Sequence, residues 1–335
     1  MTKSRTNMLT ACSEPKDPAG GTTVRVGISQ CLLGDAVRFD GGHKRDSFLT
    51  DVLGSHVEWV SVCPEVEAGL GVPREPIRLI RATTSPRLMA VKTGIDYTET
   101  MEAFSKQRVQ ALEALHLCGY VFKHNSPSCG MERVRMYNAH GMPVRSGVGV
   151  FAQTFMAHFP LVPVEEEGRL SDPIIRENFI ERIFCYRRWQ DLRSVGTTRA
   201  GLIEFHTRHK MLVLAHSRDR YQALGRLVAD AKAYPMDELT RRYGTEFMQA
   251  LKVKVTARKH VNVLQHIIGY FSSKLDKARK RELHDVIEDY HQGLVPLIVP
   301  ITLINHYVGL FEIPYLQQQV YLNPHPKELM LRNHV

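Results

Sequence analysis

Among its six cysteines the chain has no CxxC pair, and it lacks both a long apolar run and a repeat of fixed period. Each absence excludes something. Without CxxC, the spacings of ferredoxins and zinc ribbons are ruled out. The most apolar stretch, Leu294 to Ile304, is interrupted by Pro296 and Pro300. It falls far short of the ~20 residues a spanning helix needs, so it is expected as buried core and no membrane partner is implied. Residues 1–22 include Lys3, Glu14, Lys16 and Asp17 and no apolar segment. They read as a disordered tail rather than a signal or transit peptide. A cytoplasmic protein is expected, where thiols stay reduced and cysteines serve better as ligands or catalysts than as disulfides.

A length of 335 residues suits two domains, and 43% hydrophobic with 24% charged residues supports packed cores. The charge is divided unevenly. Residues 1–170 carry 19 basic and 18 acidic side chains, residues 171–335 carry 25 and 17, so +8 of the net +9 lies in the second part. That asymmetry is expected when one half meets a polyanion.

Val24–Ser29, Val57–Val62 and Gly119–Lys123 are short, branched and aromatic, and read as strands. Thr98 to Leu117 is an amphipathic helix on the spacing of Met101, Phe104, Val109, Leu112 and Leu115. A further helix is expected over Ser146 to His158, a surface loop over Glu165 to Ser171, and a helix from Asp172. Alternating strands and helices imply an α/β N-terminal domain with a mainly parallel sheet, assigned to residues 23–192. Helices over Phe205–Ala233, Met236–Ala250, Thr256–Phe271 and Ala278–Gly293 make 193–335 a mainly α-helical C-terminal domain.

Cys31, Cys63 and Cys129 each follow the end of an expected strand, where an open parallel sheet places its ligands. Placement alone leaves two readings: thiols converging on one ion or cluster, or three small core residues. Cys118 and Cys185 sit in apolar contexts and read as packing, and Cys12 belongs to the tail. The loops around the three thiols are rich in polar groups. The first holds Arg38, Asp40, Gly41, Gly42, His43 and Lys44, the second Glu65 and Arg74, the third His124, Asn125, Ser126 and Ser128.

Cys31-Leu-Leu-Gly with Asp40-Gly-Gly-His-Lys, Cys63-Pro-Glu with Gly71-Val-Pro-Arg-Glu-Pro, and Ser126-Pro-Ser-Cys-Gly together resemble the thiouracil desulfidase family. The resemblance covers about residues 24 to 190. The remainder looks like a helical domain often fused to it, and the pair resembles the bacterial tRNA 4-thiouridine desulfidases. The resemblance implies a 4Fe–4S cluster on Cys31, Cys63 and Cys129 with one iron open, and hydrolytic, non-redox release of sulfide from 4-thiouridine in tRNA. Three protein ligands leave a free position, as catalytic metal sites do, and soft thiocarbonyl sulfur suits thiolate-bound iron. Glu65 is the candidate general acid or base, and the resemblance points to a serine of the Ser-Pro-Ser-Cys loop as its assistant, Ser126 in preference to Ser128. Arg38, His43, Lys44, Arg74 and Asn125 are candidates for holding substrate.

In the helical half, Lys252, Lys254, Arg258 and Lys259, then Lys277, Arg279, Lys280 and Arg281, are candidate contacts to RNA phosphates. Tyr221, Tyr270 and Phe271 could stack on bases or belong to the core. Two other functions stay open. One is the same chemistry on free thiouracil or thiolated nucleotides, and the other a non-catalytic RNA-binding protein with zinc on the three thiols and His124. No obligatory protein partner is implied.

Overall fold

Val26 and Ile28, fully buried on a five-residue extended run, begin β1 (Arg25–Ser29) at the centre of the N-terminal sheet. In this computed structural model residues 23–82, 85–138 and 140–334 are described, so the expected tail 1–22 and Cys12 lie outside the described residues. β2 (Glu58–Val62), β5 (Gly119–Phe122) and β8 (Val164–Glu166) complete a four-stranded sheet of order β2-β1-β5-β8. Every pairing in it is parallel, with Ser29 beside Val62, Ile28 beside Val121 and Tyr120 beside Val164. Parallel strands share a carboxyl edge, so the loops after β1, β2 and β5 open on the same side.

A second sheet has the order β4-β3-β6-β7 and mixes parallel and antiparallel pairs. It comprises β3 (Ile77–Ile80), β4 (Arg87–Ala90), β6 (Val134–Tyr137) and β7 (Pro143–Gly147). No strand is expected there from sequence. Three of the four are only four residues long, and arginines and methionines stand where branched residues would mark a strand.

The helices are α1 (Pro64–Glu67), α2 (Thr98–Glu113), α3 (Val150–His158), α4 (Pro173–Ser194), α5 (Arg199–His216), α6 (Arg218–Ala229), α7 (Met236–Leu251), α8 (Ala257–Gly269), α9 (Lys277–His291), α10 (Ile298–Leu310) and α11 (Pro314–Gln317). The fold is thus α/β at the N-terminus and helical beyond. Three expectations need correction. Residues 143–147 are a strand, so the helix expected from Ser146 starts only at Val150. The single helix expected over Phe205–Ala233 breaks at Ser217, whose side chain accepts from the Arg220 amide and caps α6. The expected surface loop 165–171 contains the end of β8, and Glu165, Glu166 and Glu167 are buried. Each acid there has an internal partner: Arg169 Nε for Glu165 at 2.7 Å, the Met131 amide for Glu166 at 2.7 Å, and Lys123 Nζ for Glu167 at 2.5 Å. In Leu294–Ile304, Leu297, Ile301 and Ile304 are core, but Leu294 is exposed.

One apolar core runs from Val62, Phe122 and Phe151 through Trp189 to Phe247 and Tyr307. The 22-residue α4, about 33 Å long at 1.5 Å per residue, carries it across. Trp189 packs 5.5 Å from the Phe205 ring and stacks on Tyr243 at 5.6 Å. On α4, Glu181 meets His216 Nε2 at 2.6 Å and Arg332 at 3.3 Å, and Arg332 also reaches Glu177 at 3.0 Å. Burial alone would raise the Glu181 carboxyl, yet His216 and Arg332 outweigh it and hold the group down at about 2.

Candidate active site

The carboxyl edge of the parallel sheet surrounds a cavity of about 570 Å³, and all three strand-end thiols line it. Cys31 lies in the turn Gln30–Leu33 after β1, Cys63 immediately precedes α1 after β2, and Cys129 lies in the loop between β5 and β6. Cys31 is half-buried, and Cys63 and Cys129 are buried. Burial pushes the Cys31 thiol up to about 11 and the Cys63 and Cys129 thiols upward as well. Alone they are neutral thiols, and only a bound metal would make thiolates of them. Among the described residues no three Cys, His, Asp or Glu side chains close on one point as a single ion requires. Three soft donors spread around a cavity suit a larger, multi-metal group. Cys118 and Cys185 are fully buried in the cores and do not reach the cavity.

Glu65, two residues beyond Cys63, is held on both oxygens. Ser128 Oγ donates to Oε1 at 2.6 Å, and Arg74 Nε donates to Oε2 at 2.8 Å. Ser126 Oγ lies 3.0 Å from Ser128 Oγ and accepts the Cys129 amide at 3.1 Å. A chain Arg74–Glu65–Ser128–Ser126 therefore runs along the wall beside Cys129, and Ser128 rather than Ser126 touches the carboxylate. Arg74 is almost buried and also binds the carbonyls of Val37 and Gly71 at 3.0 and 2.9 Å. Its donors are committed to protein, so it positions Glu65.

Arg38, Lys44 and Asn125 line the cavity. Lys44 and Asn125 are exposed, and Arg38 Nε lies 3.4 Å from Asp40. His43 is exposed, does not line the cavity, and accepts the Arg45 amide on Nδ1 at 3.2 Å. Sequence reasoning missed three participants. Phe39 stands at the rim, 38% exposed, with the Arg38 guanidinium 5.5 Å from its ring centroid. Lys123 lines the cavity, bound to Glu167 Oε1. Glu167 lines it too, contacting His124 Nδ1 and accepting the His124 amide at 2.8 Å. An isolated run of three glutamates gives no sign of partners some 40 residues upstream.

The sequence profile of the 2-thiouracil desulfurase family matches residues 26–167, and that of a protein of unknown function (DUF1722) matches residues 210–326. The chain is 33% identical over 153 residues to the uncharacterized protein YbgA of Escherichia coli (strain K12), covering 45% of this chain and 90% of YbgA. It is 32% identical over 109 residues to the uncharacterized protein YbbK of Bacillus subtilis (strain 168), covering 31% of this chain and 71% of YbbK. The chain belongs to the 2-thiouracil desulfurase family. A solved 4Fe-4S-dependent thiouracil desulfidase, TudS, is 29% identical, with 45% of this chain and 95% of that one covered and a TM-score of 0.38. In this desulfurase-family chain the matched residues 26–167 contain all three cavity cysteines, Glu65 and Glu167.

Outside that span lie the eight basic residues singled out from sequence, none of which lines the cavity. Lys252 and Lys254 are exposed between α7 and α8 and Arg258 is exposed in the first turn of α8, while Lys259 is half-buried with its amine on the His216 carbonyl at 2.7 Å. On α9, Lys277, Arg279 and Arg281 are exposed and Lys280 half-buried, with Arg279 3.2 Å from Asp276. Phe271 is fully buried in the core, Tyr221 is partly buried against it, and Tyr270 stacks on Tyr315 at 5.0 Å. Of these rings only Tyr270 keeps substantial exposure. Among the described residues no helix is long and apolar enough to cross a membrane.

Proposed function

We propose that this desulfurase-family chain is a 4Fe–4S-dependent, non-redox desulfidase that converts 4-thiouridine in tRNA to uridine and sulfide. The observation that carries this reading is that Cys31, Cys63 and Cys129 line one cavity together with the hydrogen-bonded Glu65–Ser128 pair. The donor set fits the cluster: three soft ligands and, among the described residues, no fourth cysteine at the cavity. When bound, the cluster would supply an iron without a protein ligand, a soft Lewis acid for thiocarbonyl sulfur.

The protein's own groups would do the rest. Glu65, oriented by Arg74, takes a proton from water as its oxygen adds to carbon 4 of the pyrimidine. Ser128 hydrogen-bonds the carboxylate and ties it to the loop that carries Cys129. The face of Phe39 is available to the ring and Lys44 to a phosphate. A base inside a folded tRNA has to leave its stack to enter the cavity. The rest of the tRNA then needs a second surface, which the positive excess in residues 171–335 offers.

Anaerobic preparation followed by iron, sulfide and turnover assays tests the proposal. Brown protein with close to four irons, releasing sulfide from 4-thiouridine tRNA and losing its iron in Cys129→Ala, is expected. Colourless, zinc-bound protein would overturn the cluster. Iron-replete protein that acts on free thiouracil but not on tRNA would overturn the substrate.

A further inference from the structure

His124 lies immediately after Lys123 at the end of β5 and shares the cavity with the three thiols, but it takes no part in the Glu65–Ser128 pair. Its surroundings are built around it. Glu167, itself 9% exposed, contacts Nδ1 through Oε1 and accepts the His124 amide through Oε2 at 2.8 Å. Lys123 Nζ sits 2.5 Å from Glu167 Oε1 and 2.8 Å from Nδ1. A carboxylate against a ring nitrogen needs a proton between them. Nδ1 therefore carries the hydrogen, and Lys123 turns its own to Glu167 and to the His124 carbonyl at 3.3 Å. Gly168 makes room for the ring, since a Cβ there would stand 3.3 Å from Nδ1.

A carboxylate on Nδ1 orients the ring and leaves Nε2 as the working atom. Nε2 has no hydrogen-bond partner among the described residues, and the side chain, 42% exposed, lines the cavity. The cavity thus has two proton-handling groups, Glu65 on the Cys63 side and His124 after β5. Desulfidation needs two. Attack requires that water lose a proton, and departure of sulfur is easier once sulfur gains one.

We propose that His124, held by Glu167, is the acid that protonates the sulfur as it leaves the pyrimidine. The inference rests on the desulfidase reading above. Water gives one proton to Glu65 as its oxygen bonds to carbon 4. The carbon–sulfur bond breaks with its electron pair going to sulfur, which takes the Nε2 proton of the imidazolium and leaves as hydrosulfide, while the ring keeps its Nδ1 hydrogen on Glu167. Water's second proton is lost as the carbonyl forms. Of the two protons from water, one restores His124 and the other passes to solvent, so no oxidant or reductant is consumed. Glu167 and Lys123 are positioning residues.

The test is His124→Asn, which keeps a donor toward Glu167 and deletes Nε2, assayed on tRNA bearing 4-thiouridine or 4-selenouridine. Hydroselenide is a weaker base than hydrosulfide and leaves with less help from an acid. Iron content and visible spectrum should match wild type. Turnover of the thio substrate should fall by ~100-fold, and that of the seleno substrate by less than ~10-fold. Equal losses on both substrates, or none on either, would overturn the role. Loss of iron in His124→Asn would overturn it too, by making the ring a ligand. Glu167→Gln should show a smaller loss with the same preference for selenium, and a loss without that preference counts against the dyad. Wild-type protein that turns over neither substrate would overturn the desulfidase reading itself.

Discussion

Glu65 accepts a hydroxyl on one oxygen and a guanidinium on the other, so its carboxylate is fixed in place before any substrate arrives. Fixed geometry is what a proton-transfer group needs, and its removal should cost rate rather than folding. Glu65→Gln should keep its iron and visible spectrum and release sulfide ~100-fold more slowly. Turnover within a few-fold of wild type, at full iron content, would move the base elsewhere in the cavity. At this scale the thiols and Glu65 were legible because their loops combine strand-end cysteines with closely spaced acids, hydroxyls and paired glycines. Arg74 was read as a group for substrate rather than as the partner of Glu65, and Glu167 was not read as part of the site. Sequence shows that a residue is charged and not whether its charge is already spent, as Arg74's is on Glu65 and Glu167's on Lys123 and His124.

Among the elements, β1 and β5 were readable because inner parallel strands buried on both faces are written in branched and aromatic residues, and the partly buried edge strand β2 was readable through Trp59, Val60 and Val62. Every residue of β5 is buried. The second sheet was not readable, because β4 and β7 are held by pairing across chain turns rather than by an apolar signature of their own. β7 nevertheless matters to the site, since it delivers Gly149 to the loop that carries Cys129. The Gly149 amide donates to the Gly130 carbonyl at 2.8 Å, and a Cβ on Gly149 would lie 2.5 Å from the Ser128 carbonyl carbon and oxygen. Its φ of −64° is open to any residue, so the constraint is one of space. Gly149→Ala should push the backbone of residues 128–129 aside and cost about 1–3 kcal/mol of stability. Iron occupancy should fall along with the melting temperature. An alanine variant with wild-type iron content and melting temperature would show that α3 can retreat without moving Cys129.

Across the whole molecule, α4 and the shared core tie the helical half to the sheet that carries the site, while the charge stays separated. On the proposed tRNA reading, a molecule with +8 in residues 171–335 and +1 in residues 1–170 is expected to meet the polyanion chiefly through its helical half. The structure narrows which basic residues are free to do so. Lys259 is engaged by the His216 carbonyl and Arg279 faces Asp276, whereas Lys254 and Arg258 are exposed and have no ion-pair partner among the described residues. Replacing Lys254 and Arg258 with Ser should weaken binding of thiolated and unthiolated tRNA equally, because phosphate contacts carry no base information. Each lost contact should lower the slope of log affinity against log salt by ~0.9, or about 1.8 for both. Iron content should stay unchanged, since the cavity is untouched. Lys259→Ala should behave differently, lowering the melting temperature through its lost bond between α8 and the end of α5 while leaving the salt slope alone. Binding titrations from low to moderate salt separate these outcomes. A double variant with wild-type slope would remove the α7–α8 junction from the RNA surface and leave the exposed Lys277 and Arg281 of α9 as the place where the positive excess meets the polyanion.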